Sequence, residues 1–269
     1  MKIIVSHDVD HLYGSDHLRD LTYPKLWVRE TLAALGGKIS FREWRLRMAS
    51  PFRRERNHIE ELMAFDSVNG VKSSFFFGME NALGMSYRRE KALPYIKMLD
   101  ERGFGTGVHG IAYNDGSGIR HEFDSFTQLT GRRPEGIRMH YVRFDGKTFE
   151  RLAACGYRYD STEFDKSSGK CIKAPYKVGT MWEFPLCAMD GYLPYPFEQA
   201  KQRTLELLQE AAEKGTGYFT VLFHDCFFCD AWGETKKWYC WLIDYLKNDP
   251  NCEFVSFADA IGELEMKNG

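Results

Sequence analysis

The chain has 269 residues, of which 43% are hydrophobic and 28% are charged, and its formal net charge at pH 7 is −2. These proportions are typical of a globular protein and exclude a disordered, collagen-like or coiled-coil chain. The charge balance excludes the strongly basic character of a nucleic-acid-binding protein, and no run of about 18 apolar residues predicts a membrane-spanning helix.

Short apolar runs alternate with segments of helical periodicity along the whole chain. The runs predict strands at residues 3–6, 74–77, 105–108, 136–138, 157–160, 181–185 and 218–223, with residues 253–257 as an eighth candidate. Helices are predicted at residues 57–65, 88–101, 122–129, 147–154, 197–214 and 235–246. This alternation predicts an α/β fold in which crossover helices join parallel strands, and seven such units favour a barrel over an open sheet.

One segment, at about residues 16–57, lacks a strand and interrupts this alternation. Residues 29–56 contain eight Lys or Arg and three Glu, interleaved with aromatic residues. The pattern predicts a basic helical insertion near the mouth of a single-domain barrel that spans residues 1–269. Its charge is typical of a solvated helix face. The alternative is contact with an anionic carrier, such as a sugar nucleotide or a lipid-linked phosphate at a membrane surface.

The cysteines suggest where the protein works. Seven are present, and they are scattered singly apart from Cys226 and Cys229. This pattern does not predict a disulfide framework and favours a reducing compartment. The lone Cys-x-x-Cys lacks the second pair that a structural zinc site usually needs, so both thiols are interpreted as small buried side chains. Because no signal peptide is visible, the expected location is the cytoplasm.

Polar residues collect where the predicted strands end. In a parallel α/β barrel the carboxyl ends of all strands open onto one face, where the active site is built. Five strands would bring side chains to this face: His7, Asp8 and Asp10; His109; Arg138, His140 and Tyr141; Asp160 and Ser161; and His224 and Asp225.

Asp8 and Asp10 share one face of an extended backbone because side chains alternate along a strand. Two close carboxylates repel each other, and a divalent cation or a shared proton relieves the repulsion. One can bind the cation while the other accepts a proton; helix capping or pairing with an arginine is the alternative. His109 ends a glycine-rich strand and is either a further ligand, as is ordinary for zinc, or a hydrogen-bonded structural residue.

His224 and Arg138 are the other chemical candidates. His224 ends the most apolar strand and has the properties of an acid that protonates a departing amine. Arg138 is counted with the catalytic residues because it can orient a carboxylate or bind an anionic substrate. A structural ion pair is the equal alternative for Arg138.

Six segments occur in a recognisable order: residues 6–10 (SHDVD), 72–78 (KSSFFFG), 102–109 (RGFGTGVH), 129–141 (LTGRRP, then GIRMHY), 155–161 (CGYRYDS) and 221–224 (VLFH). Together they resemble the polysaccharide deacetylases, the carbohydrate esterase family 4. The resemblance runs nearly end to end outside the insertion. It implies a distorted (β/α)7 barrel and the metal-dependent removal of an acetyl group from an N-acetylated sugar. Zn²⁺ is the expected metal, with Co²⁺, Ni²⁺ or Fe²⁺ as alternatives.

The resemblance also implies a role for each matching residue. Asp8 is the implied base and His224 the implied acid. The backbone N–H of Tyr141 is the implied donor to the oxyanion. Asp10 and His109 are the implied metal ligands.

Two positions depart from the family pattern. Tyr113 stands where the family usually has a second metal histidine, and His140 replaces the proline of the Arg-x-Pro-Tyr motif. We predict that His140 supplies the missing ligand. His7, His11 or additional water are alternatives, and a site that has lost its metal and its activity is the last one.

The expected substrate is a cytoplasmic intermediate of surface-polysaccharide synthesis, such as that of O-antigen, whose N-acetylated sugar is linked to a nucleotide or a lipid phosphate. No nucleic-acid partner is expected, while peripheral contact with a membrane stays open. Two other functions are retained as alternatives. One is hydrolysis of another non-peptide C–N bond, such as a formamide or a cyclic amide, and the other is a catalytically silent glycan-binding module.

Overall fold

Ten strands form one curled sheet in the computed structural model, which describes residues 1–17, 21–53 and 55–268. The strands are β1 (Lys2–Val9), β2 (Ser74–Gly78), β3 (Gly105–Gly110), β4 (Gly136–Met139), β5 (Tyr159–Asp160), β6 (Tyr176–Val178), β7 (Met181–Glu183), β8 (Ala188–Met189), β9 (Tyr218–Leu222) and β10 (Glu253–Phe254). The seven predicted runs correspond to β1–β5, β7 and β9, and the eighth candidate contains β10. The short strands β6 and β8 are not among the predicted ones.

Nine α-helices accompany the sheet in this part of the chain: α1 (Thr22–Leu35), α2 (Phe41–Ala49), α3 (Ile59–Val68), α4 (Leu93–Glu101), α5 (Gly116–Thr130), α6 (Thr148–Cys155), α7 (Phe197–Glu213), α8 (Gly233–Lys247) and α9 (Phe257–Asn268). The six predicted helices correspond to α3–α8, with shifted boundaries. Helix α5 begins well before predicted residue 122, because the Asp115 side chain accepts the N–H groups of Ser117 and Gly118 and starts the helix there.

The sheet closes on itself through one extended segment, residues 181–189. Neighbouring strands are parallel in the order β7-β5-β4-β3-β2-β1-β9-β8, while β6 pairs antiparallel with β7 and β10 pairs parallel with β1. Since β7 and β8 both belong to this segment, it bonds to β5 at one end and to β9 at the other. The N–H of Phe184 donates to the Asp160 carbonyl at 2.9 Å, and that of Cys187 donates to the Thr220 carbonyl at 3.0 Å. The predicted (β/α)7 barrel is thus confirmed in a distorted form, with residues 181–189 in the place of one strand.

The central strands are buried on both faces, as their continuous apolar runs require. On β2, Phe75 and Phe77 belong to the core between strands and helices, whereas Phe76 belongs to the core inside the barrel. Helix α9, which is not among the predicted helices, places Phe257 at the amino-terminal end of the barrel, where its ring stacks on Tyr159 with centroids 4.3 Å apart. The carboxyl-terminal end is left for the polar residues.

Residues 16–57 contain α1 and α2. Helix α2 begins at a reciprocal pair of hydrogen bonds between Ser40 and Glu43. Its Arg47 donates through Nε to the Ala231 carbonyl at 2.8 Å, which holds α2 against the loop that follows β9. Within the described ranges, no helix is both long and apolar enough to cross a membrane.

Candidate active site

The strand ends bring the predicted site residues to one cavity. Asp8 lies on β1 and His109 on β3, while Asp10 follows β1 and His140 follows β4. The cavity has a volume of about 440 Å³, and its polar lining includes Asp8, Asp10, His109, His140, Tyr141, Asp190 and His224.

Three potential ligand atoms meet in this cavity: Oδ1 of Asp10, Nε2 of His109 and Nδ1 of His140. The Asp10 oxygen lies 3.3 Å from the His109 nitrogen and 3.4 Å from the His140 nitrogen, and the two nitrogens are 3.0 Å apart. Ligand atoms about 2.0–2.1 Å from one zinc ion lie roughly 3.0–3.4 Å apart at coordination angles of about 90–109°. This group, called the ligand triangle below, therefore has the dimensions of one face of a coordination polyhedron.

Backbone carbonyls determine which nitrogen of each imidazole carries the proton. Nδ1 of His109 donates to the Arg138 carbonyl at 3.0 Å, and Nε2 of His140 donates to the Leu83 carbonyl at 3.0 Å, since a carbonyl oxygen only accepts. The other nitrogen of each ring therefore directs a lone pair into the triangle. Oδ1 of Asp10 is buried there and accepts no hydrogen bond from the described residues. A divalent cation fits this set, because oriented neutral imidazoles and a carboxylate are ordinary ligands.

The ligand triangle attracts positive charge. Burial acts to raise the pKa of Asp10, but the imidazoles of His109 and His140 hold it well below its usual range. Burial acts to lower the pKa of His140, but the adjacent Asp10 outweighs burial and the pKa is raised. A proton or a metal cation would satisfy this field.

Asp8 lies beside the ligand triangle. Its Oδ2 is 3.8 Å from Nε2 of His109, and its Oδ1 is 3.6 Å from Nη1 of Arg138. Arg138 is fully buried inside the barrel, where its Nη2 donates to Oγ of Ser6 at 2.7 Å. Burial lowers the pKa of Arg138, and the charges of Asp8 and Asp160 counteract this effect. The guanidinium thus faces one oxygen of Asp8, while the other oxygen faces His109.

His224 is paired with Asp190. Its Nδ1 lies 2.8 Å from Oδ1 of Asp190, and its backbone N–H donates to Oδ2 at 2.6 Å. Burial acts to lower the pKa of His224, but Asp190 and then Asp10 outweigh it and raise the pKa to about 10. Nε2 of His224 lies 3.9 Å from Oδ2 of Asp10, on the side of the ligand triangle. Sequence reasoning missed Asp190; it directly follows β8, so recognising that strand would have placed it with the other residues at strand ends.

The backbone turns sharply at Tyr141, whose φ is 58° and ψ is 21°. This left-handed conformation is uncommon for a residue other than glycine and is often found at functional sites. The Tyr141 hydroxyl donates to the Leu83 carbonyl at 2.9 Å, and the same oxygen accepts Nε2–H of His140. A Cβ added at Gly84 would lie 2.8 Å from the Tyr141 hydroxyl. Leu83 and Gly84 therefore support both His140 and Tyr141.

Two histidines considered as alternative ligands have other partners. His7 lies on the helix-facing side of β1, where its Nδ1 is 2.8 Å from the Phe223 carbonyl and its Nε2 is 2.9 Å from Asp66. Nδ1 of His11 lies 2.6 Å from Nε2 of His17. Of the candidates, His140 is thus the histidine that joins Asp10 and His109.

The remaining candidates lie outside the ligand triangle. Tyr113 lines a neighbouring cavity. Asp225 accepts the backbone N–H of His58 at 3.1 Å, and burial raises its pKa to about 8. The thiols of Cys226 and Cys229 are buried and free.

Solved structures share this fold. A Mycobacterium smegmatis protein described as a polysaccharide deacetylase is 15% identical, with a TM-score of 0.68 over 99% of this chain and 91% of that one. A Pseudomonas aeruginosa PAO1 protein of the same description is 15% identical, with a TM-score of 0.64 over 96% and 88%. PuuE allantoinase is 15% identical, with a TM-score of 0.60 over 96% and 88%. No protein-family model and no curated protein matches the sequence. The chain has the fold of the polysaccharide deacetylases, so the resemblance seen in the motifs is confirmed at the level of the fold.

Proposed function

We propose that this chain is a metal-dependent hydrolase that removes the acetyl group from an N-acetylated sugar. The observation that carries the proposal is the ligand triangle of Asp10, His109 and His140, whose lone pairs converge on one point. The occurrence of this fold in polysaccharide deacetylases and in an allantoinase supports a hydrolase. Zn²⁺ is the proposed metal, with Co²⁺, Ni²⁺ or Fe²⁺ as alternatives.

Asp8 is the proposed general base. A cation held by Asp10, His109 and His140 would supply a Lewis acid, which would polarise the acetyl carbonyl and make the attacking water more acidic. Oδ2 of Asp8 lies 3.8 Å from Nε2 of His109, beside the ligand triangle, and accepts the proton of the water. Arg138, 3.6 Å from the other oxygen, orients the carboxylate.

His224 is the proposed general acid. Because the charge of Asp190 raises its pKa, the imidazolium form of His224 is favoured. It donates its Nε2 proton to the sugar nitrogen as the C–N bond breaks, since an amine leaves poorly as an anion. Asp190 accepts Nδ1–H at 2.8 Å and keeps the ring in the orientation that this transfer needs.

The backbone N–H of Tyr141 is the proposed donor to the oxyanion. The left-handed backbone at this residue and the anchor of its hydroxyl on Leu83 support a fixed orientation of the peptide at the cavity wall. A preorganised donor of this kind typically lowers the barrier by about 3–4 kcal/mol.

The substrate is proposed to carry an anionic group next to the sugar. A second cavity of about 580 Å³ adjoins the catalytic one, and both are lined by Val142, Arg143 and Lys166. Neither Arg143 nor Lys166 has an acidic partner in the described part of the chain, and burial together with the charge of Arg143 lowers the pKa of Lys166. Two cations without an acidic partner support the binding of a phosphate, as in a sugar linked to a nucleotide or a lipid phosphate.

We also propose that the protein works in the reducing environment of the cytoplasm and takes part in surface-polysaccharide synthesis. All seven cysteines are free thiols, and five of them are buried. Free thiols in this number are typical of reducing compartments, which supports the setting.

Metal analysis combined with a substrate panel tests the proposal. After chelation and reloading, the protein should hold roughly one Zn²⁺ per chain and release acetate from N-acetylated sugars. No stoichiometric metal and no acetate release would favour a silent glycan-binding module instead. Activity on formamides or cyclic amides without acetate release would favour the hydrolysis of another C–N bond on the same site.

A further inference from the structure

Helix α1 is apolar on two opposite faces. One face, with Tyr23 and Leu26, is buried in the protein. On the other face Val28, Leu32 and Leu35 follow one another at helical spacing and are 62%, 64% and 80% exposed. A helix at a protein surface needs one apolar stripe to pack on the core. The second, exposed stripe is therefore a candidate surface for contact with another molecule.

The exposed stripe extends into a larger patch. Leu21 precedes α1, Phe41 begins α2, and Phe52 lies beyond α2; they are 63%, 70% and 80% exposed. Phe41 stacks on Trp44 and Phe52 stacks on Trp27, so both phenyl rings are held at the surface. Residues 21–52 thus contain six of the thirteen large hydrophobic side chains that are exposed in the described chain. We call this surface the α1–α2 patch.

The α1–α2 patch is also cationic. Residues 21–53 contain seven Lys or Arg and two Glu, a net charge of +5, whereas the whole chain carries −2. Glu30 and Glu43 lie 2.6 Å and 3.6 Å from the buried guanidinium of Arg47. Both acidic side chains of this segment therefore pair with a buried arginine. Four exposed cations have no acidic partner among the described residues: Lys25, Lys38, Arg42 and Arg45.

The buried face of α1 packs near the catalytic cavity. Beneath α1 and α2, Leu26 belongs to one apolar cluster with Trp232 and Phe227. Phe227 also lines the catalytic cavity, three residues after His224. The buried face of α1 therefore packs close to the catalytic cavity, while the exposed stripe lies on the opposite face of the same helix.

We propose that the α1–α2 patch docks onto an anionic phospholipid surface. Apolar side chains of Leu and Phe together with Lys and Arg on one helical surface are the pattern of helices that lie in the interface of a bilayer. The long basic side chains can reach the headgroups while their stems and the leucines contact the acyl boundary. Docking of a second copy of this chain through the same patch would instead bring together two surfaces that each carry a net charge of +5, and these would repel each other. The inference does not depend on the proposed reaction, because it concerns a different surface and predicts binding without substrate.

Vesicle co-sedimentation tests the inference. The full chain is mixed with vesicles of phosphatidylcholine alone or with about one third phosphatidylglycerol. Binding is expected to the anionic vesicles and to be weakened in high salt, since screening shortens the reach of charge. Arg42→Gln/Arg45→Gln should weaken binding about thirtyfold, from about a fivefold effect for each cation. Leu32→Gln/Leu35→Gln should weaken it on the order of tenfold or more.

Matched controls carry the same changes at exposed positions elsewhere. Lys97→Gln/Lys147→Gln removes two exposed cations, and Val68→Gln/Met266→Gln removes two exposed apolar side chains. Both controls should bind anionic vesicles as the wild type does. The inference is overturned if the wild type does not prefer anionic vesicles, or if the controls lose as much binding as the patch variants. It is also overturned if the chain is a dimer that Leu32→Gln/Leu35→Gln converts to a monomer, because a second copy would then cover the patch.

Discussion

Nε2 of His109 lies 3.0 Å from Nδ1 of His140, while the opposite nitrogen of each ring donates to a backbone carbonyl. Because both protons are on the outer nitrogens, the contact joins two lone pairs and is not a hydrogen bond between neutral rings. The two rings repel each other unless positive charge lies between them. The barrel thus holds these side chains in the arrangement expected of a preorganised metal site.

His140→Ala should weaken Zn²⁺ binding by about a hundredfold or more, because it removes one of the three donors of the ligand triangle. Competition with a chelator measures the affinity, and the rise of Tm on adding Zn²⁺ reports the same loss. His121→Ala is the control, since His121 is exposed and its Nε2 lies 3.0 Å from the surface residue Glu80. Unchanged affinity in His140→Ala would contradict the role of this residue.

Asp8→Asn should reduce turnover roughly a hundredfold to ten-thousandfold, the usual contribution of a general base. Zn²⁺ content should stay at the wild-type level, because Asp8 lies outside the ligand triangle. The variant should fold, because the buried guanidinium of Arg138 would still be compensated by the nearby negative charge of Asp160. Steady-state kinetics and metal analysis are compared with exposed Asp124→Asn as the control. Loss of the metal together with activity would reassign Asp8 as a ligand, and retained activity would remove it from the mechanism.

His224→Ala should reduce turnover about as much as Asp8→Asn does, because the proposed proton donor to the departing amine is removed. Substrates with a better leaving group should lose less, since their nitrogen needs the proton less. The ratio of the two losses is measured on an N-acetyl sugar and an activated anilide. Equal losses on both substrates would speak against His224 as the acid.

Asp190→Asn should move the alkaline limb of the pH profile of kcat/KM to lower pH by about one unit or more. The charge of Asp190 favours the imidazolium of His224 and raises its pKa. The acid form is therefore present below the raised pKa and is lost as the pH rises through it; without Asp190 that loss comes earlier. Remote Asp249→Asn serves as the control. A lower rate with an unshifted profile would give Asp190 a purely structural role.

Gly84→Ala should weaken Zn²⁺ binding about tenfold to a hundredfold, the usual effect of disturbing a group that orients a ligand. The added Cβ would meet the Tyr141 hydroxyl at 2.8 Å and displace the Leu83 carbonyl that holds His140. Gly103→Ala is a matched control, because its φ of +79° is close to the +86° of Gly84 but its surroundings are empty. Both variants should lose about 1–2 kcal/mol of stability from backbone strain. Equal metal affinities in the two would contradict the supporting role of Leu83.

Arg143→Ala/Lys166→Ala should raise KM for a phosphate-linked N-acetyl sugar about tenfold to a hundredfold, since charge-assisted hydrogen bonds to the phosphate are lost. KM for the neutral sugar and its kcat should not change. Lys97→Ala/Lys147→Ala controls for the loss of surface charge. An equal effect on both substrates would place the contact on the sugar and remove the phosphate from the proposal.

Local pattern was sufficient to predict parallel strands joined by crossover helices and the face that gathers the polar residues, whereas it favoured closure into a barrel without establishing it. Asp8, Asp10, His109 and His224 lie at or just beyond strand ends, and a parallel barrel directs all of those ends the same way. Alternation along β1 also separates His7 from Asp8, so the sequence contained the reason why His7 is not a ligand.

The sequence offered His140 among several candidates for the third proposed ligand, and tertiary structure singled it out; tertiary structure alone revealed Asp190 as the partner of His224. His140 reaches Asp10 because β4 ends just before His140 and the backbone turns at Tyr141. The left-handed conformation of Tyr141 cannot be predicted from the local sequence. Asp190 follows β8, a strand of two residues that is too short for a periodic signal and exists only through its pairing with β9. Contacts of this kind depend on how the sheet closes through residues 181–189, and closure joins residues that are far apart in the chain.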